Sequence, residues 1–461
     1  MHRNTSAISL VLLLVAAPLV AQQTSTALPA APLLRAMAQL PPLPQSTPTN
    51  TPADESLTRQ QAEQLALKNN PRISVATLLS LAQKQVVRET RSALLPDANG
   101  NLTAVGANEA SRISTGSLAA SRLLYHVGAG VELNQLITDF GHTRNLVASS
   151  SLQAKASEQQ AEATREDIVL ATDISFYNAL EAQATLQVAK STVAARQTVA
   201  DQVDALTASK LKSTLDQSFA QVNLSQAKLL TLDAQSQFDS AMASLHEVLG
   251  TTDNRYYQLI DDPDLPQPSA PSVDDLITLA LQQRPDLLAL KDLHEADLRY
   301  ARAQRQQLLP TVSGLGVVGE TPVGASQYFS SNWYGAAGVN VAIPIFNGFK
   351  FHAEASEADF RAKASDQQSR VLINRIVRDV RTAWLQATTA RQRMAVTAEF
   401  VKEANIALDL ADTRYRLGLS SIVELSQAQL QQTQAQIDDA NARFAYEADL
   451  AALRFQSGIQ P

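Results

Sequence analysis

Histidines, acids, glycine loops and serines are the residues from which a reading for catalysis or metal binding has to start. His126, His142, His246, His294 and His352 are scattered along the chain. None has a second histidine or an acid at a metal-binding interval within a plausible framework. His246-Glu247 begins like a zinc-protease motif but lacks the second histidine. The "GAG" of Gly128 to Gly130 and the "GLG" of Gly314 to Gly316 lack the rest of a phosphate loop. Glycines of this kind more often mark close-packed strand positions. The serine runs contain no nucleophile elbow. With no cysteine in 461 residues, thiolate metal sites, disulfides, a cysteine nucleophile and a lipid-modified cysteine are excluded. No catalytic residue, cofactor or metal site is expected, and the residues argue against an enzyme.

The rest of the chain points to position rather than chemistry. Its formal net charge is −7 and no basic stripe accumulates, so no nucleic-acid partner is expected. Alanine, glutamine, leucine and serine dominate, as in mostly helical proteins. Residues 1–21 read as a signal peptide, with His2 and Arg3 ahead of the apolar core "AISLVLLLVAAPLV" and cleavage near Ala21. That run is shorter than the roughly 20 residues of a membrane-spanning helix. Residues 22–56, rich in proline and threonine, read as a flexible linker. Residues 251–271, rich in aspartate and proline, read as a second linker between two helical halves.

Those halves, 57–250 and 272–458, repeat one plan. "AKASEQQ" (Ala154 to Gln160) returns as "AKASDQQ" (Ala362 to Gln368), 208 residues later. At the same offset "SFAQVNLSQA" (Ser218 to Ala227) lies over "SQAQLQQTQA" (Ser426 to Ala435), and Gly250 over Gly458. Nearer the front, Pro71 and Pro96 match Pro285 and Pro310 at an offset of 214. A fixed offset over so long a stretch marks an internal duplication, with one small length change in a loop.

Each half reads as a helix, two weak strands and a long helical hairpin. The first helix starts near Leu57 or Val273, is interrupted at Pro71 or Pro285, and ends at Pro96 or Pro310. Strands are expected in "NLTAVGANEA" and "LLYHVGAGVELNQL", and again in "TVSGLGVVGE" and "SNWYGAAGVNVAIPI". Residues from about His142 to Thr207, and from Phe351 to Leu417, contain neither glycine nor proline. A continuous helix of that size is on the order of 100 Å long. Met394, Val401, Leu408 and Tyr415 recur every seven residues, with Thr397, Ala404 and Ala411 three further on. The first copy keeps this frame at Leu186, Val193 and Ala200, with Arg196 interrupting it. Such rows suit a narrow coiled-coil seam. An exported chain with about four membrane strands cannot leave a sheet edge in lipid. Membrane barrels begin at about eight strands, so the barrel has to be shared between subunits.

From about Leu57 to Gly458 the chain resembles the TolC family of outer-membrane efflux channels. The resemblance is carried by "NNPRI", "QQRPDLLAL", the two "LLP" helix ends, "VAIPIFNGF" and the turn "YRLGLSSIVELSQAQ" (Tyr415 to Gln429). It implies a mainly α fold with a small membrane β part. In that fold the chain is a homotrimer whose twelve-stranded β-barrel, in outer-membrane lipid, continues as a periplasmic α-helical coiled-coil tube. It also implies partnership with an inner-membrane pump through a periplasmic adaptor (membrane fusion) protein. The role is then the exit duct of a tripartite efflux or type I secretion system in a Gram-negative-type bacterium, for drug, metal or protein cargo alike.

By the same match, Asp216, Tyr415 and Glu424 occupy positions of the family's periplasmic gate. A ring of carboxylates at a constriction concentrates cations and repels anions. Ser420 stands where the best-known gate has an arginine, and Gln427 where it has a second acid. The plainer reading is that Asp216 and Glu424 cap the returning helices. The turns, Lys210, Leu211 and Ser213 in the first copy and Leu417, Gly418, Leu419 and Ser421 in the second, are the implied adaptor-docking points. Lys210 replaces the glycine of the second copy. Two rivals compete with the channel. An exported structural coiled coil explains the helices but not the paired glycine-aromatic stretches. An adaptor carries one hairpin between β-rich domains, whereas two hairpins are expected here.

Overall fold

The computed structural model describes residues 55–106, 125–252, 257–261, 272–320 and 333–459. The expected signal peptide and nearly all of the first linker lie outside them, as do the outer ends of the expected strands. The first half consists of β1 (Glu55–Leu57), α1 (Arg59–Asn69), α2 (Pro71–Ser92), β2 (Asp97–Gly106), β3 (Tyr125–Thr138), α3 (His142–Ala208) and α4 (Thr214–Leu249). The second consists of β4 (Tyr257–Leu259), α5 (Val273–Gln283), α6 (Pro285–Gln306), β5 (Thr311–Glu320), β6 (Trp333–Ala342), α7 (Lys350–Arg416) and α8 (Ile422–Ser457). Helix lengths of 11, 22, 67 and 36 residues occur in that order in both halves.

Local chemistry sets these boundaries. Thr58 and Gln61 form a capping box at the start of α1, and Ser272 caps α5. Pro71 and Pro285 occupy the first turn of α2 and α6, where a missing N–H costs nothing. The breaks they create dock the ends of the returning helices. Asn70 donates from Nδ2 to the Val248 carbonyl at 2.8 Å, and Arg284 reaches the Gln456 side chain at 2.7 Å. Gly250 and Gly458 end α4 and α8 in left-handed conformation, with φ of 69° and 72°. A Cβ on Gly250 would lie 2.8 Å from the Asn69 carbonyl oxygen, so the break and the cap fit only with glycine there.

The helices lie in a row. Around the upper part of α3 the neighbours run α2–α3–α6–α7, and around its lower part α4–α3–α8–α7. Small side chains make this close packing possible. Ala383, Ala390, Thr397, Ala404 and Ala411 are all buried on α7 at seven-residue spacing. Met394, Val401 and Leu408, on the adjacent row, are only half-buried. Ala154 and Ala362, the first residues of the repeated heptapeptide, are both buried in this packing. Arg196 is buried too, and desolvation pushes its guanidinium down to about 10.

The four expected strands form one antiparallel sheet in the order β2–β3–β5–β6. A two-stranded parallel pair, β1 with β4, was not expected, because both strands fall in stretches that read as linkers. Three residues are too few to show a period, and their partners lie about 200 residues apart. Leu57, Tyr257 and Leu259 are nonetheless buried, in a core with Phe176, Leu180, Leu245 and Leu249. Gln183 clamps β4 by bonding both the N–H and the C=O of Leu259.

Candidate functional site: a two-faced sheet and a clasped helical tip

Residues directly opposite each other in an antiparallel sheet point to the same face. The register therefore sorts the described side chains. One face carries Asp97, Asn99, Asn101, Glu132, Asn134, Ser313 and Asn340, with Leu136, Leu315 and Val317 as apolar exceptions. The other carries Leu102, Val131, Leu133, Val318, Trp333, Val339 and Val341, all exposed, with Gln135 and Glu320 as polar exceptions. An exposed apolar face backed by a polar one is the pattern of a sheet with lipid on one side and water on the other. Ten-residue strands such as β5 and β6, tilted by about 40°, span roughly 25 Å, the height of an outer-membrane apolar band. Among the described residues no helix is long and apolar enough to cross a membrane.

The sheet passes into the helices at a tight corner. Asp139 accepts from the N–H groups of Thr143 at 2.6 Å and Gly141 at 3.1 Å, turning β3 into α3. Phe140 and Phe349 adopt left-handed backbone at equivalent corners, φ 55° and 62°. Ile345, Phe346 and Phe349 are strongly exposed beside the second corner, with the two phenyl rings edge to face at 5.7 Å.

At the opposite end the two hairpin turns have one geometry. Leu211 N–H bonds Leu206 C=O at 2.9 Å, and Leu419 N–H bonds Arg414 C=O at 2.8 Å. This is the closure of a Schellman turn, which needs a left-handed residue. Gly418 supplies it at φ 73° and Lys210 at φ 58°, so the lysine follows the glycine's path despite its Cβ. Leu211, Leu417 and Leu419 are each about 70% exposed at these tips. Ser213 and Ser421 cap α4 and α8. Asp216 completes a capping box, accepting from the Ser213 N–H at 3.2 Å and hydroxyl at 2.9 Å. Glu424 lies at the same position of α8 and pairs with Arg414 at 3.2 Å.

The expected gate residues all lie at the tip, Asp216 near Tyr415 and Glu424 held by Arg414, and the plainer capping role is realised for Asp216. Tyr415 is buried between the hairpins, among Ala200, Val203, Leu224, Ile422 and Leu425. Burial, then the charge of nearby Asp216, raises its phenol above the ordinary range. Among the described residues its hydroxyl has no hydrogen-bond partner. Sequence reasoning missed two partners. Lys212 places its ammonium 4.1 Å from the Tyr415 ring centroid, and Arg414 holds Glu424. Asn223 adds a hydrogen bond to Ser426 at 2.6 Å, tying α4 to α8. Arg414 was legible as a cation just before the turn. Lys212 was not, because its target lies on the other hairpin.

A second charged group sits where α1 meets α3. Arg59 pairs with Glu63 and with Asp173 at 3.5 Å, all largely buried. Desolvation, reinforced by Glu63 and only partly offset by Arg59, pushes the Asp173 carboxyl up to about 7. Glu447 on α8 is raised as well, first by burial and then by Asp261.

A two-faced sheet joined to helices of about 100 Å defines an outer-membrane channel protein with a long helical extension. Residues 62–251 and 276–458 match the family model described as outer membrane efflux protein, and the chain belongs to that family. It is 25% identical to outer membrane protein OprJ of Pseudomonas aeruginosa, over 79% of this chain and 76% of that one. It is 23% identical to TolC of Escherichia coli, over 84% and 79%. Two solved structures have TM-scores of 0.76 and 19% identity. They are CusC, covering 87% of this chain and 92% of that one, and the CmeC outer membrane channel of Campylobacter jejuni, covering 87% and 85%. The protein is an outer-membrane efflux channel with a large periplasmic helical portion.

Proposed function

We propose that three copies of this chain form the exit duct of a tripartite efflux or type I secretion system, gated at the helical tip. The carrying observation is that the chain is unfinished along both of its long sides. The sheet ends in unpaired edges at β2 and β6. The helix row ends in α2 and α4 on one side and α7 on the other, and these edge helices expose large apolar side chains. Val75, Leu78, Leu79, Leu229 and Leu232 lie on one side, and Leu385, Val396, Ile406 and Leu410 on the other. No large apolar side chain of the interior helix α3 is exposed. Two copies close at eight strands, where a barrel fills with its own side chains, whereas three copies of a four-stranded sheet leave a lumen.

In this reading the duct has no chemical step of its own. Asp216, Tyr415 and Glu424 narrow the periplasmic end, and Lys212 and Arg414 clasp it. Lys210, Leu211 and Ser213, with Leu417, Gly418, Leu419 and Ser421, form the tips that meet a periplasmic adaptor bound to an inner-membrane pump. Replacing Asp216 and Glu424 together with alanine raises single-channel conductance in planar bilayers and weakens cation selectivity. Unchanged conductance with unchanged selectivity would contradict the gate. A fall in thermal stability alone would leave both acids as helix caps.

A further inference from the structure

At the end of the sheet remote from the helices, one side chain crosses two neighbouring strands. Tyr334 of β6 lies directly opposite Gly319 of β5, which lies directly opposite Gly130 of β3. All three belong to the polar face that carries Glu132, Asn134 and Asn340. A Cβ built on Gly319 would stand 2.5 Å from the Tyr334 hydroxyl oxygen, 2.7 Å from Cζ and 2.8 Å from the Ala129 carbonyl oxygen. A Cβ on Gly130 would stand 3.0 Å from the same oxygen. The phenol therefore lies flat across two strands, in the space that two side chains would take. Gly319 is buried for this reason, although it sits on a face of the sheet. Neither glycine has a positive φ, so the empty space and not the backbone conformation explains them here.

We infer that Tyr334 sets the aperture of the outward mouth, and that Gly319 and Gly130 keep it folded against the wall. The inference rests on the barrel reading, in which the polar face lines the lumen. Each subunit then contributes one phenol at the same height. A side chain added beneath the ring lifts it off the wall, and only the lumen is free to receive it. A flat phenol leaves the passage wide, and a raised one narrows it.

The test is single-channel conductance of the full-length protein in planar bilayers. Gly319→Val is expected to lower conductance roughly twofold, through the raised ring and not through its own volume. Gly319→Val combined with Tyr334→Ala is expected to restore it. Gly130→Ala, whose Cβ meets the hydroxyl at 3.0 Å and the Val318 carbonyl oxygen less tightly at 3.3 Å, gives a smaller drop in the same direction and covers the case in which Gly319→Val does not assemble. Wild-type conductance in both glycine variants would overturn the inference, as would a drop that persists without Tyr334. A wild-type protein that conducts nothing would overturn the barrel reading and this inference with it.

Discussion

Asp173 shows how one buried acid makes stability depend on pH. In the folded chain its carboxyl is raised to about 7, whereas an unfolded aspartate titrates near 4. Between those values the folded state holds a proton that the unfolded state has released. Stability is therefore greatest in the acid part of this window and falls as pH rises to about 7. The thermal midpoint in detergent should be lower at pH 8 than at pH 5, and Asp173→Asn should reduce that difference. Equal pH slopes for variant and wild type would show that Asp173 titrates normally. Lys210 offers a simpler test. It holds φ 58° where its counterpart is Gly418, a conformation that costs a residue with a Cβ about 1 kcal/mol. Lys210→Gly should stabilise the protein by roughly that amount, read as a higher midpoint. A lower midpoint would mean that the side chain makes a compensating contact.

Among the elements, the helices were far more legible than the sheet. Runs without glycine or proline located α3 and α7 to within a few residues, and the turns after them, with Gly250 and Gly458, bounded α4 and α8. Pro71 and Pro285 marked real helix starts, because proline is compatible with the first turn and little else in a helix. The β1–β4 pair was invisible, since it is held by tertiary packing of Leu57, Tyr257 and Leu259 and not by local pattern. Asp216 and Glu424 were expected at the tip from their place just after the turns and Tyr415 from its place just before one, but the contact of Tyr415 with Lys212 could not be read. Lys212 and Tyr415 meet only when two hairpins pack. The same logic governs the outer helices, whose apolar faces have no partner among the described residues. Leu229→Glu on α4 or Leu410→Glu on α7 should weaken subunit association, as measured by the oligomer fraction in detergent. Intact oligomers in both leucine variants would place the seam elsewhere.

At the scale of the whole molecule, duplication explains most of what the chain does. Four helix lengths repeat in order, each half contributes two strands to the sheet, and the two hairpins end in matching turns. Three such chains give a wall with near-sixfold repetition, and small residues at seven-residue spacing let its helices pack closely. In the proposed trimer one polar sheet face continues into a helical tube gated at the tip. The central claim is that the chain completes itself with two more copies in the membrane. The native mass of the full-length product, extracted from membranes in detergent, tests it most directly. A three-chain particle that needs detergent to stay in solution is the predicted result. A monomer or dimer that remains soluble without detergent would contradict the shared barrel and favour an exported structural coiled coil.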